Sequence, residues 1–291
     1  MISSYCDLFG FPAEATAYLS EVYRELSEKY DLSARFSLIR EAFLQPGNKE
    51  YQEMLQALAE ESGVDRRTLD MIFLLRCAPA LREEYRKRGI PDTVFVDTMC
   101  DLRYKLLECH ANYGVWGIFV THWYPGFYLC DRFALGRLQF EKRQFKYPVY
   151  GILREGDTVL NCHIPSAGPL TPEAVLDSLK RAYSFYADVQ KEGILPVVCH
   201  SWLLYPPHYV LFGKNTKAFQ DLFTVLRQDV SAENGDFWRV FNRPFSEDIL
   251  TELPEDTSLR RGFKQFLLAG NKMGSGYGVL LFDGERVLPK L

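Results

Sequence analysis

No run of about 18 apolar residues occurs in the 291-residue chain, so no membrane-crossing helix is expected. A basic excess is missing too. The 34 Lys and Arg stand against 38 Asp and Glu, for a net charge of −4. Such a chain has no general electrostatic pull toward nucleic acid or anionic lipid. No CxxC pair exists among the seven cysteines, at positions 6, 77, 100, 109, 130, 162 and 199. Their odd number and scatter speak against a disulfide framework or a zinc ribbon, and fit reduced thiols in a cytoplasmic protein. The start, "MISSYCDLFGFPAEA", lacks the basic end and apolar run of a signal peptide. There is no HExxH, and His110 and His122 have no partners at ligand spacing, so no metal is expected. Repeats and low-complexity segments are also missing.

What is present is a large apolar and aromatic fraction, 47% and 14%, enough for a well-filled core or a sizeable pocket. The first 120 or so residues read as helix. Tyr18, Val22 and Leu26 recur on one face, as do Tyr51, Leu55 and Leu58. Asp65 is placed to cap a helix through "RRTLDMIFLLRC". Gly89 and Pro91 break the pattern, and Asp92 starts one more helix through Leu107. "ALAEESGVDRRTL" has the outline of a helix-turn-helix, but its second helix continues as "MIFLLRC", too apolar to face a DNA groove.

Near residue 115 the character changes. Strand-like runs follow at 135–141, 147–153 and 158–164, with links short enough for an antiparallel meander. Val175, Leu179, Ala182, Tyr186 and Val189 then form one helical stripe, capped by Thr171 with Pro172 in the first turn. "PVVCHSWLL" reads as a central strand, apolar on both faces. Helix near 218–222, strand near 223–230, helix from Thr257 to Gly270 and strand 277–284 complete the chain. "AGNKMGSGYGVLL" lacks the spacing of a phosphate-binding P-loop and reads as a flexible hairpin link. The expected fold class is α+β, with a helical domain over 1–122 and a mixed-sheet α/β domain over 123–291.

This element order resembles the core of the GNAT acyltransferases. The phrases "LGRLQFE", "NCHIPSAGPLTPEAVLDSLKRA", "CHSWLL" and "LPEDTSLRRGF", spanning about 135–263, together resemble a bacterial acyltransferase family. Its members pair a helical N-terminal N-acyltransferase domain with a GNAT-like C-terminal domain. The resemblance implies an acyl-coenzyme A or acyl-carrier donor, and a small-molecule or peptide amine as acceptor. Nucleic acid and membrane are not expected partners. It also implies that 158–164 is the donor-binding strand and 172–190 the donor-binding helix, whose N-terminus takes the pyrophosphate. Cys162, Ser166, Ala167, Gly168 and Thr171 would then face the donor.

"HIPSAGPLTPEA" departs from the usual (Arg/Gln)-x-x-Gly-x-(Gly/Ala) phosphate loop. Pro169 and Pro172 have no N–H to offer, and Glu173 would oppose a phosphate. A second reading is therefore a non-catalytic binding module of the same shape.

Acyl transfer to an amine needs a base, an oxyanion donor and an acid for the leaving thiolate. His163 and His200, near the ends of neighbouring strands, are candidates for proton transfer, or else structural histidines holding adjacent loops. Glu141 alternates with Arg137 and Gln139 on one strand face. That face is either solvated or salt-bridged structure, or else the lining of an acceptor cleft, and in the cleft Glu141 could be the base. Tyr205, after the fifth strand, is placed as a general acid or as part of an ordinary turn in "YPPHY".

Overall fold

A computed structural model describes residues 2–290 and divides the chain into two compact units, Met1–Phe133 and Ala134–Leu291. Unit 1 is helical: α1 (Ile2–Leu8), α2 (Ala13–Lys29), α3 (Leu32–Phe43), α4 (Glu50–Ser62), α5 (Arg66–Lys87), α6 (Asp92–Met99), α7 (Asp101–Tyr113) and the short α8 (Pro125–Tyr128). Asp31 and Asp65 accept the Ala34 and Arg67 amides at 3.0 and 2.9 Å, which pairs N–H groups that the first helical turn leaves open. Gly63 and Gly114 end α4 and α7 in the left-handed conformation, where a Cβ would be costly. The Phe43 ring meets Tyr51, Phe73 and Tyr128 edge-on at 5.1, 5.4 and 5.3 Å. Leu69 and Met71 to Leu75 are all buried, so the second half of the helix-turn-helix echo is a core helix.

Two expectations for this unit need correction. The buried stripe of α2 is Ala15, Leu19 and Leu26, while Tyr18 is 42% exposed. The stripe is turned by one residue, with the small Ala15 on the core side. The helix expected from Asp92 to Leu107 is two helices, because Cys100 closes α6 and opens α7. The break accompanies a buried polar pair: Asp101 accepts the Tyr124 hydroxyl at 2.7 Å. Among the described residues, no helix is long and apolar enough to cross a membrane.

The strand β1 (Arg132–Leu135) runs across the boundary, and unit 2 continues with β2 (Leu138–Gln144), β3 (Val149–Tyr150), β4 (Leu153–Arg154), β5 (Thr158–His163), α9 (Pro172–Phe185), β6 (Leu195–Ser201), α10 (Lys214–Gln220), β7 (Thr224–Val230), α11 (Trp238–Phe241), α12 (Ser258–Leu268) and β8 (Gly274–Phe282). Six strands form one sheet in the order β1-β2-β5-β6-β8-β7. The β5–β6 pair is parallel, and the β2–β5, β6–β8 and β7–β8 pairs are antiparallel. The central place of β6 explains its apolar run. Thr171 caps α9 by accepting the Ala174 amide at 3.3 Å, and Val175, Leu179, Ala182, Tyr186 and Val189 are all buried, as the spacing predicts.

The meander differs from expectation. The run 147–153 stands outside the main sheet, as the β3–β4 hairpin. It packs Leu153 onto Val159, Val198 and Val279 and so covers part of one sheet face. The run 135–141 is interrupted, because Gly136 (φ +77°) and Arg137 form the turn from β1 to β2.

The Gly-rich link is also not a link. Gly274, Gly276 and Gly278 belong to β8, and they alternate on the face against which residues 202–205 press. A Cβ on Gly276 would lie 2.1 Å from the Leu204 carbonyl oxygen.

That pressed segment is anchored by His208, which is fully buried and donates from Nδ1 to the Trp202 carbonyl at 2.9 Å. Nε2 therefore carries the lone pair and is buried without a partner. Burial lowers the imidazole pKa below its ordinary value. The unfolded chain then binds this proton first, so stability is complete above about pH 6.5 and falls as pH drops below it. His208→Asn keeps an N–H for the carbonyl and removes the titration. We expect the melting temperature of wild type to fall more steeply than that of H208N between pH 7 and pH 5, so that the gap between them narrows with acid. Parallel melting curves would exclude this role.

Candidate active site

The register of the sheet brings several of the expected residues onto one face. Glu141 stands opposite Asn161, and Gln139 opposite His163, across β2 and β5. His200 stands opposite Tyr277 across β6 and β8. All lie on the face partly covered by the β3–β4 hairpin. The opposite face is covered by α9, whose Tyr183 ring contacts Phe282 at 6.0 Å.

Glu141 is only 3% exposed and is ion-paired, so of the two structural states expected for its strand face, solvated or salt-bridged, the side chain is in the second. A buried carboxylate is costly unless it is paired, and this one is well paired. Arg143 donates to Oε2 at 2.9 Å. At Oε1, Asn161 Nδ2 donates at 3.2 Å and His163 Nε2 lies at 2.8 Å. For that last contact to be a hydrogen bond, Nε2 must carry the proton. The basic lone pair of His163 is then on Nδ1. Asn161 Nδ2 also lies 3.0 Å from Nε2, and with the proton there the two groups converge on the carboxylate instead of bonding each other. A carboxylate holding one imidazole nitrogen fixes the tautomer and stabilises the imidazolium formed on proton uptake.

His163 ends β5 where the sheet opens. β5 and β6 pair at Leu160–Val197 and Asn161–Val198, and among the described residues no ladder continues beyond, although β6 runs on to Ser201. His200, across this gap, is 53% exposed at its side chain and has its Nε2 2.8 Å from Ser275 Oγ. Asn161, Val198, His200 and Tyr277 line a cavity of about 690 Å³. Burial pushes the Tyr277 hydroxyl up to about 12, so it stays a proton donor at neutral pH.

The remaining candidates lie elsewhere. Tyr205 is on the opposite face, with its ring over Gly274 and 4.8 Å from the His208 ring. Cys162 is buried beside Cys199 on the face away from His163, and burial holds its thiol well above the ordinary value, which is the signature of an unreactive thiol.

In the loop that leads to α9, Ser166 and Gly168 are exposed. The Ala167 amide is used by the Pro165 carbonyl at 2.8 Å, and Gly168 has φ +96° with open space around it. Arg137, from the β1–β2 turn, donates to the Gly168 carbonyl at 2.7 Å and the Pro169 carbonyl at 3.3 Å. It places a fixed positive charge beside a loop whose own sequence is poor in donors. Glu173 is exposed and makes no ion pair among the described residues. No group of His, Cys, Asp or Glu among the described residues could hold a metal ion.

Sequence reasoning missed Asn161, Arg143 and Tyr277. Their signal was period-2 alternation: Asn161 shares a face with His163, Arg143 with Glu141, and Tyr277 faces away from the three glycines of β8.

Comparison with known proteins agrees with this architecture. Residues 2–130 match the model of the N-acyltransferase N-terminal domain, and residues 133–280 that of the GNAT-like C-terminal domain. No curated protein matches the chain. Among solved structures, an acyltransferase in complex with decanoyl-CoA and teicoplanin aligns with TM-score 0.66 at 22% identity, covering 99% of this chain and 100% of that one. An acyltransferase mutant in complex with octanoyl-CoA aligns with TM-score 0.65 at 22% identity, covering 96% and 99%. At that identity the likeness is one of fold. The two domain matches together span nearly the whole chain, which belongs to the acyltransferase family that joins an N-acyltransferase N-terminal domain to a GNAT-like C-terminal domain.

Proposed function

We propose that the protein transfers an acyl group from acyl-coenzyme A to an amine, with the Glu141–His163 pair as its proton-transfer centre. The observation that carries this reading is the buried Glu141 carboxylate bonded at 2.8 Å to a histidine at the point where two parallel strands part. The donor thioester lies in the gap between β5 and β6, and its phosphates lie toward the 164–171 loop and Arg137. The amine nitrogen attacks the thioester carbonyl, forming the C–N bond, and its proton passes to His163. Collapse of the tetrahedral intermediate breaks the C–S bond. The thiolate leaves and is protonated by Tyr277 or by water. The products are an amide and free coenzyme A. Glu141 holds the imidazole and balances the positive charge it gains, while His200 and Tyr277 supply donors on the cavity side.

The open cavity favours this reading over a non-catalytic module, for which a filled cleft is expected. A thermal-shift titration with coenzyme A and octanoyl-coenzyme A tests it. Ligand bound only to the folded state adds about 2.7 kcal/mol at a hundredfold excess over Kd. We expect a saturable rise in melting temperature, lost in Gly168→Val, where a β-branched residue cannot hold the left-handed conformation without strain. No shift with either thiol or thioester would remove coenzyme A from the reading.

A further inference from the structure

We infer that the acceptor amine carries a negative group, a phosphate or a carboxylate, held by Lys146 and Arg143. The inference rests on the acyl-transfer reading above and concerns its acceptor side. The cavity, which reaches Asn161 two residues from His163, has three cationic residues in its lining, Lys142, Arg143 and Lys146, and no Asp or Glu, with the Lys142 side chain turned to the α9 side over the Tyr186 ring. Two of the three are already committed: Lys142 pairs with Asp188 and Arg143 with Glu141. Lys146 is exposed and makes no ion pair among the described residues. An uncompensated charge at a concave wall raises the local concentration of anions.

These cations are not placed for the phosphates of the donor. Gln144, beside Arg143, is paired with Thr158, the first residue of β5, whereas the 164–171 loop follows its last residue, His163. Five residues of strand separate the two ends, about 17 Å at 3.3 Å per residue. A ligand that spans the cavity would put its amine near His163 and its negative end at Lys146. Tyr147 and Tyr277, with ring centroids 5.0 Å apart, offer an apolar surface between them for the body of a sugar or an alkyl chain.

Calorimetric titration tests this with matched probes: glucosamine 6-phosphate against glucosamine, and 4-aminobutyrate against butylamine. We expect the anion-bearing member of at least one pair to bind more tightly than its partner, and which pair responds separates a phosphate from a carboxylate. Lys146→Glu should weaken that binding by at least about tenfold, Lys146→Gln by less, and added salt should weaken it in wild type. Coenzyme A is titrated against the same variants and should bind unchanged. If neither anionic probe binds better than its neutral partner at millimolar concentration, or if K146E binds it as wild type does, the inference is overturned while the acyl-transfer reading stands. If coenzyme A itself fails to bind wild type, that reading fails separately.

Discussion

His163→Ala should lower kcat for acyl transfer by about 10²–10⁴-fold, the usual worth of a positioned general base. The affinity for coenzyme A should stay near the wild-type value, because the imidazole acts on the amine proton and not on the donor's phosphates. Stability should change little. His163 is 19% exposed at its side chain, and without it Glu141 keeps its bonds from Arg143 and Asn161. The melting temperature should therefore remain within about 3 °C of wild type, which corresponds to about 1 kcal/mol for a unit of this size. Glu141→Gln should act in the same direction with a smaller loss, since the amide can still accept from His163 but does not balance the imidazolium charge. Asn161→Ala should be milder still, as it removes one donor to the carboxylate at a cost of about 1.5–3 kcal/mol or less. Single-turnover acylation and coenzyme A titration on the same preparations check all three. A full-rate H163A enzyme would transfer the role to His200, across the gap.

The helical half, the capped α9 stripe and the central β6 were legible because each depends on a local period or a local cap. Thr171, Pro172 and the run from Val175 to Val189 state their helix without help from distant residues. The sheet was less legible, because membership in a sheet is a long-range property. Nothing local distinguishes 147–153, which stands outside as a hairpin, from 158–163, which pairs on both sides. The same limit hid the buried state of Glu141. Three polar residues alternating on a strand look solvated until Asn161 and His163 are seen to stand across from them. Glu141, His163 and His200 could be selected singly from strand ends and chemistry. The contact of the first two, and the separation of Tyr205 from both, needed the register. Glycines misled most, since in isolation they signal freedom, and in β8 they signal the opposite.

Gly276→Ala should be the most destabilising single-methyl change in unit 2. The new Cβ would lie 2.1 Å from the Leu204 oxygen and 2.6 Å from its carbonyl carbon, a backbone group and not the yielding end of a side chain. The group cannot retreat easily. Gln220 donates to the Leu203 carbonyl at 2.6 Å and His208 to the Trp202 carbonyl at 2.9 Å, so the two residues that lead into the contact are both tied. Overpacking of this kind costs about 3 kcal/mol or more, which is a fall of about 6–12 °C in melting temperature for a unit of this size. Gly235→Ala is the control. It is exposed, and its nearest neighbour to a new Cβ is Ser231 Oγ at an ordinary 3.6 Å, so its change should stay within about 1 kcal/mol. The consequence reaches the site through the sheet. Gly276 pairs with Ser201, one step from the pairing of His200 with Tyr277. Any G276A protein that remains folded has had to move β6 away from β8 at that step, and should lose acyl transfer more than it loses coenzyme A binding. Equal melting temperatures for G276A and G235A would mean that residues 202–205 do not press on β8 in solution, and the same result would remove the support that holds His200 at the edge of the gap.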